Sequence, residues 1–151
     1  MASKSPALYD QELTDEVTAI LFNDLLPDPD LRNLVLHISP LIYPAKPPLL
    51  FHLGQKIMPP LRNPVGLLIE KLKGTVLEGD DSVGYQIPVV FRNVSKQYWN
   101  LNTSSDVFKA ASEYLLSPKG KVIDLNEISE GITYAIFSGH LADALHWANF
   151  I

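Results

Sequence analysis

Between Asp10 and Leu26, Leu13, Val17, Ile20, Leu21 and Leu25 recur at helical spacing, while Glu12, Asp15, Glu16, Asn23 and Asp24 take the intervening positions. The pattern predicts an amphipathic first helix with those five apolar residues inward and its acids toward the positive end of the helix dipole. Pro27-Asp28-Pro29-Asp30 follows, with Asp28 fit to cap and Pro29 fit for the first helical position, and Leu31, Leu34, Val35 and Ile38 supply one apolar face before Ser39-Pro40 stops the helix.

Nine of the twelve prolines fall between residues 27 and 64, alternating with apolar runs such as Leu49-Leu50-Phe51 and Ile57-Met58. Proline lacks a backbone donor and keeps its predecessor out of the helical region, so each one starts or ends an element. A disordered proline-rich linker would be polar, and this stretch is not. It predicts short helices at 29–38, 48–57 and 64–73 joined at rigid corners, with Leu67, Leu68 and Leu72 inward and Gly74 closing the third in a left-handed cap.

Beyond Gly74 the pattern turns to strands. Thr75-Val76-Leu77, a turn over Glu78–Ser82, and Tyr85–Phe91 read as an antiparallel hairpin, its second strand demoted to an edge or bulge by Pro88. Residues 92–104 read as loop, and Ser105 as the cap of a helix through Leu116 that buries Val107, Phe108, Ala111 and Leu115. After a turn at 117–121 and a short strand at Val122-Ile123, Asp124 and Glu127 form a capping box for a helix with Leu125, Ile128, Ile132, Ala135 and Ile136 inward, ending near Gly139. A last helix runs from His140 to Ile151 with Leu141, Ala144, Leu145 and Ala148 as its inner face. The fold class is therefore α+β and predominantly helical: short proline-cornered helices with a small antiparallel β-hairpin, in one compact domain over 1–151 whose residues 1–8 read as a tail.

Composition narrows the chemistry. In 151 residues there is no cysteine, so no disulfide, thiolate nucleophile, zinc ribbon or iron–sulfur cluster can form, and stability rests on packing. The absence of an apolar leader or a long apolar run predicts a soluble, cytoplasmic protein with no membrane span. The net charge of −5 conceals opposed blocks. Residues 1–31 hold seven acids against Lys4, whereas residues 46–73 hold five bases, Lys46, Lys56, Arg62, Lys71 and Lys73, against Glu70. Internal pairing of that basic block with the acidic first helix accounts for it more simply than a phosphate-binding stripe, and an overall acidic chain is opposite to the usual nucleic-acid footprint.

Candidate catalytic groups are sparse. His140, Asp143 and His146 share the last helix, but His140 and His146 lie about 120° apart at 100° per residue, too wide for one ion, and no metal or other cofactor is expected. Ser138-Gly139-His140 lacks the glycine-flanked nucleophile elbow. His37 and His52 sit on otherwise apolar helices, where histidines are usually structural. Asp28/Asp30 and Asp80/Asp81 are explained by a cap and a turn. No calcium loop, dinucleotide fingerprint or Walker loop occurs.

What remains is surface chemistry. Arg92, Lys96 and the aromatic pair Tyr98-Trp99 in an asparagine-rich segment have a composition common at interfaces, and the chain closes on Trp147-Ala148-Asn149-Phe150-Ile151, an apolar stretch that must dock. The sequence therefore points to a non-catalytic protein–protein interaction or regulatory module, a homo-oligomer with a protein partner, whose candidate binding residues are Lys46, Lys56, Arg62, Tyr98, Trp99, Trp147 and Phe150. The alternatives are a small hydrolase drawing on His37, His52 or His140, and an anion or nucleic-acid binder using 46–73.

Overall fold

The structure is a computed structural model that describes residues 12, 16–17, 20, 22–96, 101–117 and 124–148, with the side chains of 101–103, 143 and 147 set aside. Proline placement determines the first three named helices. Asp28 caps α1 (Pro29–Ile38) by accepting the Asp30 amide at 2.9 Å, with Pro29 at the start, where a missing N–H costs nothing. Pro47 and Pro48 open α2 (Pro47–Gln55), and Pro64 precedes α3 (Val65–Leu72). Each boundary lies within two residues of the sequence expectation. Gly74 has φ of +78°, but it does not close the helix as expected: Lys73 before it is already extended, and the Gly74 N–H donates to the Leu77 carbonyl at 3.1 Å instead of to a helix carbonyl.

The hairpin is displaced from its predicted place. β1 is Glu78–Asp80 and β2 is Gly84–Gln86, paired antiparallel with Gly79 opposite Tyr85. Thr75-Val76-Leu77 is not the first strand. Those residues wrap the end of α3, where the Leu72 carbonyl accepts the amides of Thr75, Val76 and Leu77 at 3.2, 3.1 and 2.9 Å. Val76 and Leu77 are apolar because they are core, not because they are strand. The second strand stops at Gln86, since Pro88 instead precedes a helix, α4 (Val89–Ser95), and accepts the Arg92 amide at 3.0 Å. α4 thus takes the last three residues of the predicted strand and the first four of the segment read as loop, which also contains the start of α5 (Leu101–Leu116). Ser105 lies inside α5 and caps nothing; its hydroxyl reaches the Ser138 carbonyl at 3.4 Å.

Asp124 caps α6 (Leu125–Phe137) as expected, accepting the amides of Asn126 and Glu127 at 2.9 and 3.3 Å. The helix closes in a Schellman motif: Gly139 at φ +84°, its N–H on the Ile136 carbonyl at 3.1 Å and the His140 N–H on the Ala135 carbonyl at 2.8 Å. That turn reverses the chain into α7 (Leu141–Ala148), which packs on α6 as α6 packs on α5. Residues 118–123, which carry the predicted turn beyond Ser117 and the predicted short strand at Val122-Ile123, and the last residues of the predicted final helix, 149–151, lie outside the described residues. The architecture is a predominantly helical α+β fold with one two-stranded antiparallel sheet, and no helix among the described residues is long and apolar enough to cross a membrane.

Most buried side chains join one core built around Leu34, Val35 and Ile38 of α1, with Leu50 and Leu53 from α2, Leu68 and Leu72 from α3, and Val107 and Ala111 from α5. A smaller cluster of Leu116, Ile128, Ala135 and Ala144 joins α5, α6 and α7. Four predicted faces are corrected. Among the described residues of the N-terminal segment Val17, Ile20 and Leu25 are exposed, and Phe22 and Leu26 are buried, with Phe22 against Phe91 of α4 at 6.1 Å between rings; Leu13 and Leu21 lie outside the described residues. Leu67 of α3 and Leu125 and Ile136 of α6 also face outward, Gly131 and Tyr134 taking the inward places in α6. In α7 only Ala144 of the predicted inner face is buried.

Asp30 is the main polar tie of the proline region. It is buried, and its carboxylate accepts both the Asn63 backbone N–H and side-chain amide at 2.8 Å, joining α1 to the Pro59–Asn63 corner. The Asn63 backbone bond, helped by Arg62, holds the carboxyl below its ordinary range. A lowered native pKa contributes stability that is present above the unfolded value and disappears as pH falls through the native one. Asp30→Asn is expected to lower Tm at neutral pH and to flatten the acid limb of a melting-temperature profile taken below about pH 4.

Candidate functional site

A concavity lies where α2, the hairpin turn and the α5/α6 junction meet. The prolines that open α2 bring Lys46, Pro48 and Leu49 to one wall, the turn after β1 brings Ser82 and Val83, α5 ends at Tyr114 and Leu115, and α6 begins with Asp124, Asn126, Glu127 and Glu130. The cavity measures about 300 Å³. Its turn wall is rigid, because the Asp80 carboxylate accepts the Ser82 and Val83 amides at 2.9 and 2.8 Å and the Ser82 hydroxyl at 2.7 Å. A second, more open chamber of about 490 Å³ shares Pro48 and Tyr114 and continues over Pro47, Phe51, His52, Gly66 and Ile69 to Glu70. The Tyr114 ring lies against that of His52, centroids 5.0 Å apart, at the division between the two.

The electrostatics of the groove are acidic. Burial pushes the Glu130 carboxyl up, the charges of Glu127 and Asp124 add to that, and Lys46 opposes them. Burial likewise pushes the Tyr114 phenol up, with Glu127 contributing. The Glu130 carboxylate accepts no hydrogen bond among the described residues, whereas Asp124 is engaged as the α6 cap.

The second surface is apolar. Ile136, Phe137, Leu141 and Leu145 are 51, 56, 59 and 68 % exposed, and they run from the end of α6 along α7. Leu141 and Leu145 are four residues apart, hence on one helix face.

The sequence-predicted binding residues are not gathered into one site. Lys46 lines the groove; Lys56 is exposed at the end of α2; Arg62 lies in the proline corner beside Asp30. The remainder of the basic block is dispersed too, with Lys73 bound to Glu70 at 2.7 Å and Asp81 at 3.2 Å, carboxylates outside the acidic first helix. Arg92 is structural, its Nε donating to the Ser39 carbonyl at 3.2 Å. Tyr98, Trp99, Phe150 and the Trp147 side chain lie outside the described residues. Sequence reading missed Tyr114, Glu127 and Glu130; the one available signal was the polar stripe of α6, which looks the same whether it faces solvent or a cleft.

The histidines occupy separate elements. His37 is half-buried on α1, where burial lowers its pKa against the pull of Asp106. His52 stacks on Tyr114. His140 Nδ1 stands 2.8 Å from the Ser138 hydroxyl, the distance required of a nucleophile and its base. The proton runs the other way, however: the Ser138 hydroxyl donates to the Ala135 carbonyl at 3.0 Å, so Nδ1–H is the donor to Ser138 Oγ and the pair finishes a helix end. Among the described residues, no group of three or more His, Asp or Glu side chains is placed to hold a metal ion.

No known protein family, curated protein or solved structure matches this chain.

Proposed function

We propose that the chain is a non-catalytic protein–protein interaction or regulatory module, working in the cytoplasm and self-associating through the outer face of α7. The observation that carries this reading is the exposure of Ile136, Phe137, Leu141 and Leu145 within ten residues of chain. Large apolar side chains concentrated in one place, rather than scattered singly, mark interaction surfaces. A two-fold interface sets a patch against itself, so charge on it would meet like charge. The sequence of α7, Leu-Ala-Asp-Ala-Leu-His-Trp-Ala, carries no lysine or arginine and one acid, which suits self-contact. The cysteine-free composition supports a reducing compartment.

Sedimentation velocity over a concentration series tests the reading. The native chain is expected to shift from monomer to dimer as concentration rises. Leu141→Glu with Leu145→Glu, both at solvent-facing positions that leave Ala144 in the core, should weaken association by at least about tenfold, or about 1.4 kcal/mol. A native chain that stays monomeric at the highest soluble concentration, or a double variant that associates equally well, refutes it.

A further inference from the structure

The groove has a composition that self-association through α7 does not use. We infer that its two chambers form a docking site for a short extended peptide of another protein that presents an arginine two residues from a large apolar side chain. The inner chamber supplies the arginine site. Among its described lining residues, three carboxylates, Asp124, Glu127 and Glu130, stand beside one ammonium, that of Lys46. The Glu130 carboxylate is half-buried and accepts no hydrogen bond among the described residues, with the charge of Lys46 acting on it, so an incoming guanidinium supplies hydrogen bonds in place of lost hydration. A guanidinium suits this wall better than an ammonium, because its planar fork meets a carboxylate with two parallel bonds while its face lies on an aromatic ring such as that of Tyr114.

The outer chamber supplies the apolar site. Pro47, Pro48, Phe51 and Ile69 line it, and Phe51 is already exposed on α2. Proline walls are rigid, so a side chain seated there pays little ordering entropy in the protein. The chambers share Pro48 and Tyr114. In an extended segment, residues i and i+2 project to the same side, so one short strand fills both chambers at once. This continuity favours a peptide over a small amine, which would use the inner chamber alone.

The test uses the full chain and the peptide acetyl-Ala-Leu-Ser-Arg-Ala-amide, followed by amide chemical-shift titration. Saturable shifts are expected at Ser82, Val83, Asn126 and Glu130, and replacing the arginine by citrulline, which keeps the shape and removes the charge, should weaken binding at least about tenfold. Glu130→Gln should weaken it by a similar factor with an unchanged circular dichroism spectrum and Tm. Failure of the arginine peptide to bind, equal binding of the citrulline peptide, an unaffected Glu130→Gln variant, or shifts centred elsewhere would each overturn the inference. Binding of N-acetyl-arginine amide as tightly as the peptide would also overturn it, by reducing the site to a small-cation pocket. The outcome is independent of whether α7 self-associates.

Discussion

Gly84→Val should detach the hairpin from the body of the protein and lower the stability by about 2–6 kcal/mol, read as a fall in the urea midpoint. The residue has φ of +110°, a region that a β-branched side chain avoids. A Cβ at that position would stand 2.9 Å from the Pro44 carbonyl carbon and 3.0 and 3.1 Å from the Ala45 nitrogen and carbonyl carbon, all backbone atoms that cannot rotate aside. Those neighbours belong to the contact that anchors the sheet: Ala45 N–H donates to the Tyr85 carbonyl and Tyr85 N–H to the Ala45 carbonyl, both at 2.8 Å. Strain of about 1–3 kcal/mol and two backbone bonds worth about 0.5–1.5 kcal/mol each are lost together. That is a large share of the roughly 5–15 kcal/mol that holds a domain together. Gly66→Ala is the matched control. Nothing lies within 4 Å of its added Cβ, and it sits in helix α3, so its stability should stay within about 1 kcal/mol of the native chain.

Tyr134→Phe should cost about 2–3 kcal/mol at neutral pH, a Tm decrease of roughly 5–10 °C. The phenol oxygen accepts the N–H groups of Ile42 and Tyr43, both at 3.0 Å, and its ring is stacked on Phe108 at 5.7 Å and met edge-on by Tyr43 at 5.8 Å. Phenylalanine retains the ring contacts and leaves two backbone donors without their acceptor. Alkaline pH supplies a second signature. Burial pushes the phenol up to about 12, with the two amide bonds opposing. A native pKa above the unfolded value of about 10 means that the folded state holds the proton more tightly, so the contribution is complete below pH 10 and is lost as pH rises through 12. The stability difference between native chain and variant should therefore shrink by about 2–3 kcal/mol over that interval. Tyr85 and Tyr114 also have raised pKa values but are present in both proteins, so the difference isolates Tyr134.

Elements governed by local rules were legible in the sequence. Proline starts, the aspartate caps at Asp28 and Asp124 and the glycine closure at Gly139 depend on a few neighbouring residues, and they placed α1, α2, α3 and α6 closely. The hairpin was displaced because β-branched Val76 and apolar Leu77 look the same whether they pair in a sheet or cover the end of α3. Helix faces proved hardest. On α7 the apolar stripe of Leu141 and Leu145 is exposed, while Ala144 is buried in the cluster shared with α6; periodicity identifies a stripe but not what it faces. The groove was invisible for a related reason. Tyr114 and Glu130 come from different helices, and their convergence with Lys46 depends on how α5 and α6 dock beside α2, a matter of tertiary packing that no short window of sequence contains.

Residues 41–46 form neither helix nor strand apart from the bridge at Ala45, yet both tyrosine ties end there: Tyr85 on Ala45, and Tyr134 on Ile42 and Tyr43, separated from it by 92 and 91 residues. A mainly helical chain would otherwise be rich in near-neighbour contacts and quick to assemble. Here the early connection stays without its acceptor until α6 has been made and docked, so the completion of the proline-cornered region at Ile42 and Tyr43 waits on the C-terminal helices.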